Sequence, residues 1–189
     1  MARPRSEETQ AALLETAGSL VAAQGLEATT ASIAKRAGVA EGTLFRYFAT
    51  KDILLNELYL HLKHGVADAM RDRFARNGNL EDQARSLWEG YIDWGIAHPS
   101  SIKALGKLAV SETISAETQA RASRFFPEVA EVSKACAANG ALASLPAGFV
   151  DAVFLAVAEA TIQSATRHPE FAEAYKVSGF KAFWSALTD

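Results

Sequence analysis

Apolar residues recur at three- and four-residue steps along almost the whole chain. Leu13, Leu14, Ala17, Leu20 and Val21 mark one face of a first helix of about five turns, and Gly25 follows as a residue that ends a helix without a Cβ penalty. Thr29 and Thr30 can cap a second helix with Ile33, Ala34 and Ala37 inward and Gly38 at its end; a short third helix runs from Glu41 to Tyr47. Lys51-Asp52 opens a longer fourth helix, in which Leu54, Leu55, Leu58, Leu62, Val66 and Met70 keep the same step until Asn77-Gly78. Further helices are predicted near 80–97, 100–113, 117–139, 147–167 and 170–187, with His98-Pro99, Asn139-Gly140 and His168-Pro169 as stops. Pro127 must either kink the 117–139 helix or start a new one at its first turn. Strands are not signalled, because no sustained alternation of β-branched residues occurs; the fold class predicted is all-α, with about nine helices.

Composition narrows the class. With 49% apolar and 22% charged residues over 189 positions the chain can bury a core, which excludes a disordered or collagen-like protein. The single cysteine, Cys136, excludes an internal disulfide. The Met1 end lacks the apolar core of a signal peptide, and no run approaches the ~18 apolar residues of a membrane span, so a cytoplasmic protein with no membrane partner is expected. A net charge of −3 argues against nucleic acid held along the whole surface, yet the sign is uneven. Residues 1–51 carry six basic residues (Arg3, Arg5, Lys35, Arg36, Arg46, Lys51) against five acids, whereas 77–189 carry nine against thirteen. Nucleic acid would therefore meet the first fifty residues.

Those residues hold the informative motif. Two short helices crossing steeply around a tight turn need a small residue at the crossing, here Ala34, and a residue that accepts a left-handed turn, here Gly38. Ile33, Val39, Leu44 and Phe48 supply the apolar positions that lock both helices against the first. The second helix of the pair then exposes Glu41, Gly42, Thr43, Arg46 and Tyr47 on a face that a major groove can accept.

Over roughly positions 9–58 the sequence resembles the TetR (tetracycline-repressor-like) transcriptional regulators. The resemblance is carried by Gly25-Leu-Glu-Ala-Thr-Thr30, Ile33-Ala34-Lys-Arg-Ala37-Gly38-Val39, Gly42-Thr43-Leu44-Phe45-Arg46-Tyr47-Phe48 and Lys51-Asp-Ile-Leu-Leu. It implies a helix-turn-helix DNA-binding domain over 1–50 and a helical effector-binding and dimerisation domain over 51–189. It further implies that Thr30 donates its hydroxyl and N–H to a phosphate, that Tyr47 and Lys51 hold further phosphates, and that Thr43 lies against base edges while Gly42 lets the backbone approach. Arg46 would read a guanine, Glu41 could accept from a cytosine amine, and Phe45 would pack partly under the helix and partly on the sugar-phosphate surface. Two readings of Glu41 stay open, since an acid in a first turn also favours the helix dipole. Ala40 departs from the Ser or Thr cap frequent in the family, a loss of about 1 kcal/mol of cap stability.

In the larger part, the resemblance implies that helices near 147–167 and 170–187 pair with their copies in a second chain. The face expected to do so carries Val150, Val153, Val157, Thr161 and Ser164, then Tyr175, Phe180, Phe183 and Trp184. A twofold dimer predicts a palindromic operator. Leu62, Trp88, Tyr91, Ile92, Trp94 and Leu105 could line a cavity for a small, mostly apolar effector, together with Leu108, Phe125, Phe126, Val129 and Phe154; the alternative is that these are ordinary core. By family analogy such an effector shifts the fourth helix and releases a repressor from its operator. No cofactor and no metal are expected: His61, His64, His98, His168 and Cys136 are scattered, and no catalytic triad order, phosphate loop or Cys-x-x-Cys points to an enzyme. The competing reading is a helical ligand- or protein-binding dimer that no longer reads DNA.

Overall fold

The computed structural model describes residues 6–137 and 147–188, and every regular element among them is helical. The α-helices are α1 (Glu7–Gln24), α2 (Thr30–Arg36), α3 (Glu41–Tyr47), α4 (Lys51–Arg73), α5 (Leu80–Ala97), α6 (Pro99–Ala109), α7 (Ala116–Ser123), α8 (Pro127–Ala137), α9 (Ala147–Arg167) and α10 (Ala172–Thr188). Their starts follow from short polar side chains that satisfy free N–H groups: Ser6 accepts from Thr9, Thr29 from Ser32, Asn79 from Asp82 and Ser115 from Thr118.

The differences from the sequence expectation have local causes. The 117–139 helix is two helices, because Pro127 takes the first position of α8, where its missing N–H costs nothing; the Asn139-Gly140 stop lies outside the described residues. The fourth helix ends at Arg73, short of Asn77, since the next turn finds other partners: the Ala75 N–H donates to Ser86 Oγ at 3.0 Å and the Gly78 N–H to the Ala75 carbonyl at 2.9 Å. The 100–113 helix starts at Pro99 and stops at Ala109, where Ser111 offers the backbone local alternatives, accepting from the Thr113 N–H with its hydroxyl and from the Ile114 N–H with its carbonyl. The cap of α2 is Thr29, which leaves the Thr30 hydroxyl for other work.

The chain forms two compact units. The first comprises the described residues up to Gly65 together with Ser100–Phe125. Its core joins Leu13, Ala17 and Val21 of α1, Ile33 of α2, Leu44 of α3 and Leu54 and Leu58 of α4, all buried. The later segment is tied in by polar contacts. Lys107 Nζ donates to the carbonyls of Val21 and Ala22 at the end of α1 (3.3 and 2.9 Å). The Asn56 side chain of α4 donates to the Thr113 carbonyl (2.9 Å) and accepts from the Ser115 N–H (3.1 Å).

The second unit comprises Val66–Pro99 and the described residues from Phe126 onward. Trp88 is its fully buried centre; the indole donates to the Lys176 carbonyl at 3.0 Å, its ring stacks on Phe183 and it meets the edge of Phe154. Gly90 lets α5 approach α4 closely, since a Cβ there would lie 2.7 Å from the Ala69 carbonyl oxygen and 2.8 Å from Met70 Cα. Asp93 accepts ion pairs from Arg73 of α4 (2.5 Å) and Lys176 of α10 (3.1 Å). Helices α9 and α10 pack on each other, Gly179 lying against Thr161. By length and composition alone, Gly148–Arg167 is apolar enough to cross a membrane; Val150, Ala158, Thr161, Ile162 and Ala165 are buried within this unit, and most of its other residues are not.

Candidate nucleic-acid interface

The α2–α3 pair owes its angle to Gly38. With φ at 73° it directs its own N–H to the Lys35 carbonyl (3.2 Å) and the Val39 N–H to the Ala34 carbonyl (3.0 Å), so the end of α2 is closed entirely by backbone. The buried Ile33, Ala34, Leu44 and Phe48 then fix which sides of the two helices face inward. On α3, Glu41, Gly42, Phe45 and Arg46 are exposed, and Thr43 and Tyr47 are half-buried. Phe45 is 41% exposed, a large apolar side chain left in water on an otherwise polar face. A Cβ at Gly42 would meet nothing within 4 Å, and the residue has no left-handed φ, so neither packing within the chain nor turn geometry requires a glycine there.

Three polar side chains of this region are held by contacts distant in sequence. The Thr30 hydroxyl donates to the Glu41 carboxylate at 2.6 Å, tying the start of α2 to the start of α3. Ala40 has no side chain to cap α3, and the Thr43 N–H closes the first turn on its carbonyl at 2.8 Å. The Tyr47 hydroxyl accepts from the Ser6 N–H at 3.0 Å, which draws the phenol below its ordinary pKa because the donor stabilises the phenolate; desolvation opposes this only in part. Lys51 Nζ donates to the Leu26 carbonyl at 2.6 Å, which positions the ammonium at the start of α4 and leaves it two further protons. Neither Ser6 nor Leu26 is marked as a partner by the sequence; one contributes a backbone N–H and the other a carbonyl, groups that nearly every residue carries.

The residues expected to line an effector cavity divide between the units. Leu62, Leu105 and Leu108 are buried in the first, where Phe125 meets the His64 ring edge-on at 5.3 Å. Trp88, Tyr91 and Ile92 are buried in the second, and Trp94, Phe126, Val129 and Phe154 are half-buried there. The Trp88 N–H is taken by the Lys176 carbonyl, and Trp94 stacks on His98 at 5.1 Å. The Tyr91 phenol is pushed up to about 12 by burial, with the negative Glu159 adding to the shift.

The residues expected to pair α9 and α10 with a second copy differ in how far they reach the surface. Val150, Thr161, Phe180 and Phe183 are buried among the chain's own helices, and Val153, Val157, Ser164, Tyr175 and Trp184 are half-buried. The outward side of α9 instead shows Phe149 (47% exposed), Ala152, Leu155 (45%), Ala156 and Ala160, and α10 shows Ala174, Val177 (47%) and Ser178. Among the described residues, no group of three or more His, Cys, Asp or Glu side chains is placed to hold a metal.

Residues 13–58, the span of this interface, match the model of the tetR family of bacterial regulatory proteins. The whole described fold is similar to solved tetR-family regulators. One from Shewanella sp. PV-4 shares 29% identity with a TM-score of 0.82, over 96% of this chain and 98% of that one. Another from Marinobacter aquaeolei VT8 shares 23% identity with a TM-score of 0.77, over 95% of each chain. LfrR from Mycobacterium smegmatis, solved in complex with proflavine, shares 22% identity with a TM-score of 0.70, over 95% of this chain and 97% of that one. Residues 13–58 thus carry the helix-turn-helix of the tetR family, and the all-helical framework behind it is similar to that of solved tetR-family transcription regulators.

Proposed function

We propose that the protein is a ligand-responsive repressor that binds a palindromic operator as a homodimer in the cytoplasm and is released by a small, mostly apolar effector. The observation that carries the DNA-reading part is the outward face of α3. Leu44 and Phe48 bury its inner side, so Glu41, Gly42, Phe45 and Arg46 are presented together to solvent. On this reading residues 1–50 are the DNA-binding domain and 51–189 the effector and dimerisation domain. Thr30, Tyr47 and Lys51 hold phosphates, Arg46 and Thr43 meet base edges, Gly42 admits close approach and Phe45 packs on the sugar-phosphate surface.

Support for a homodimer comes from the outward faces of α9 and α10, where apolar Phe149, Leu155 and Val177 alternate with the small Ala152, Ala156, Ala160, Ala174 and Ser178. Small residues allow helices of a second copy to approach closely, and burying the large ones offsets the cost of ordering them. Proflavine, the planar aromatic compound in the LfrR structure, illustrates the effector class that apolar and aromatic side chains such as Tyr91 and Phe154 would suit. An effector releases the repressor to the extent that it binds the DNA-incompetent shape more tightly.

Selection of bound duplexes from a random pool by the purified protein, at about 150 mM salt so that phosphate attraction does not mask specificity, tests this reading. An enriched palindrome is expected. Enrichment of a single half-site, or of nothing, overturns it. The enriched duplex then serves as the probe for compounds that weaken binding.

A further inference from the structure

Thr30 and Glu41 stand at the first positions of α2 and α3, and the Thr30 hydroxyl donates to the Glu41 carboxylate at 2.6 Å. A threonine hydroxyl carries one proton. Donated to Glu41, that proton is not available to a phosphate; donated to a phosphate, it leaves Glu41 as an exposed anion beside a polyanion. The two states exclude each other. Carboxylate and phosphate oxygens are alike as acceptors of a short, charge-assisted hydrogen bond, so Glu41 stands in at Thr30 for the group that DNA would bring. Nor is the carboxylate engaged in capping its own helix, since its hydrogen bond crosses to α2 and the first turn of α3 closes on the Ala40 carbonyl.

We propose that Glu41 is a specificity-determining residue that competes from within the protein for the phosphate position at Thr30. On DNA of arbitrary sequence, displacing the carboxylate breaks a hydrogen bond and brings like charges together, so backbone binding alone is penalised. At a cognate site the displaced carboxylate accepts from a base-edge amine, cytosine N4 or adenine N6, and the penalty is offset. The effect is discrimination rather than affinity. The inference rests on the phosphate role given to Thr30 above.

The test compares the wild type, Glu41→Gln, Thr30→Val and the double variant on two probes: a mixed-sequence duplex and the duplex that the wild type enriches from a random pool. Gln keeps an oxygen that accepts from Thr30 and loses the charge. Glu41→Gln is expected to bind the mixed-sequence duplex about two- to fivefold more tightly, in line with one surface charge, and to gain less, or to lose, on the enriched duplex. In the Thr30→Val background the gain shrinks, because the charge-assisted hydrogen bond that Gln weakens is already gone and only the relief of like-charge repulsion remains. An equal gain on both probes, an undiminished gain in the Thr30→Val background, or no change overturns the proposal. Failure of the underlying DNA reading looks different: the wild type itself enriches no duplex and all four proteins behave alike. Circular dichroism melts of all four separate lost binding from lost folding.

Discussion

Lys107 reaches from α6 to the last turn of α1, where its ammonium donates to the Ala22 carbonyl at 2.9 Å and to the Val21 carbonyl at 3.3 Å. The end of a helix presents unpaired carbonyls and a partial negative charge, so a cation is favoured there twice over. No basic residue of α1 itself occupies its last turn; the counter-charge comes from a segment some eighty residues later in the chain. Lys107→Met, which keeps most of the stem, is expected to cost about 1 kcal/mol of stability, read as a lower urea midpoint at unchanged slope.

Gly90 is a second point where one side chain would be too many. A Cβ there would lie 2.7 Å from the Ala69 carbonyl oxygen and 2.8 Å from Met70 Cα, both backbone atoms that cannot swing aside. Gly90→Ala is expected to destabilise by about 1–3 kcal/mol despite its better helix propensity, and Gly90→Val by more. A thermal melt equal to or above the wild type would show that α4 and α5 can separate without cost.

On the proposed reading, variants of Arg46 and Lys51 separate base reading from phosphate holding. Arg46→Ala is expected to cost ~1–3 kcal/mol on the enriched duplex, confined to one base pair per half-site, while changing mixed-sequence binding little. Lys51→Ala should weaken both probes alike and reduce the salt slope by about one. It should also lower thermal stability slightly, since the Leu26 carbonyl loses its donor. Fluorescence anisotropy across a salt series measures the binding effects, and a thermal melt the last.

The Tyr91 phenol sets an alkaline limit. Its pKa is raised from 10.0 to about 12 in the folded chain, so the folded state holds the proton where the unfolded state has begun to release it. The resulting stability is fully present below pH 10 and is lost as pH rises towards 12. Tyr91→Phe, which cannot ionise, should therefore lose less of its melting temperature between those two values than the wild type does.

The helices were legible because their signals are local. Breakers such as Gly25, Gly38 and His98-Pro99 act within a turn of themselves, and the three- and four-residue apolar step shows which side faces inward. Pro127 illustrates the limit of local chemistry, which allowed both a kink and a new start. In α9 the step itself lost resolving power: Val150, Ala158 and Ile162 on one side and Phe149, Leu155 and Ala156 on the other are all apolar, so periodicity could not choose the buried face. At the nucleic-acid interface the outward residues of α3 were readable from the frame of the motif. The anchors of Tyr47 and Lys51 were not, because their partners lie 41 and 25 residues away and are main-chain atoms without a sequence signature.

The backbone closure at Gly38 also decides what the basic residues beside it are free to do. Lys and Arg in a last turn commonly bend back to neutralise open carbonyls. Here the Ala34 and Lys35 carbonyls are already satisfied by the Val39 and Gly38 N–H groups, and Lys35 and Arg36 extend into solvent. On the proposed DNA reading, the two cations would raise the local potential towards an approaching polyanion and speed encounter, an effect that fades as ionic strength shortens the ~10 Å screening length.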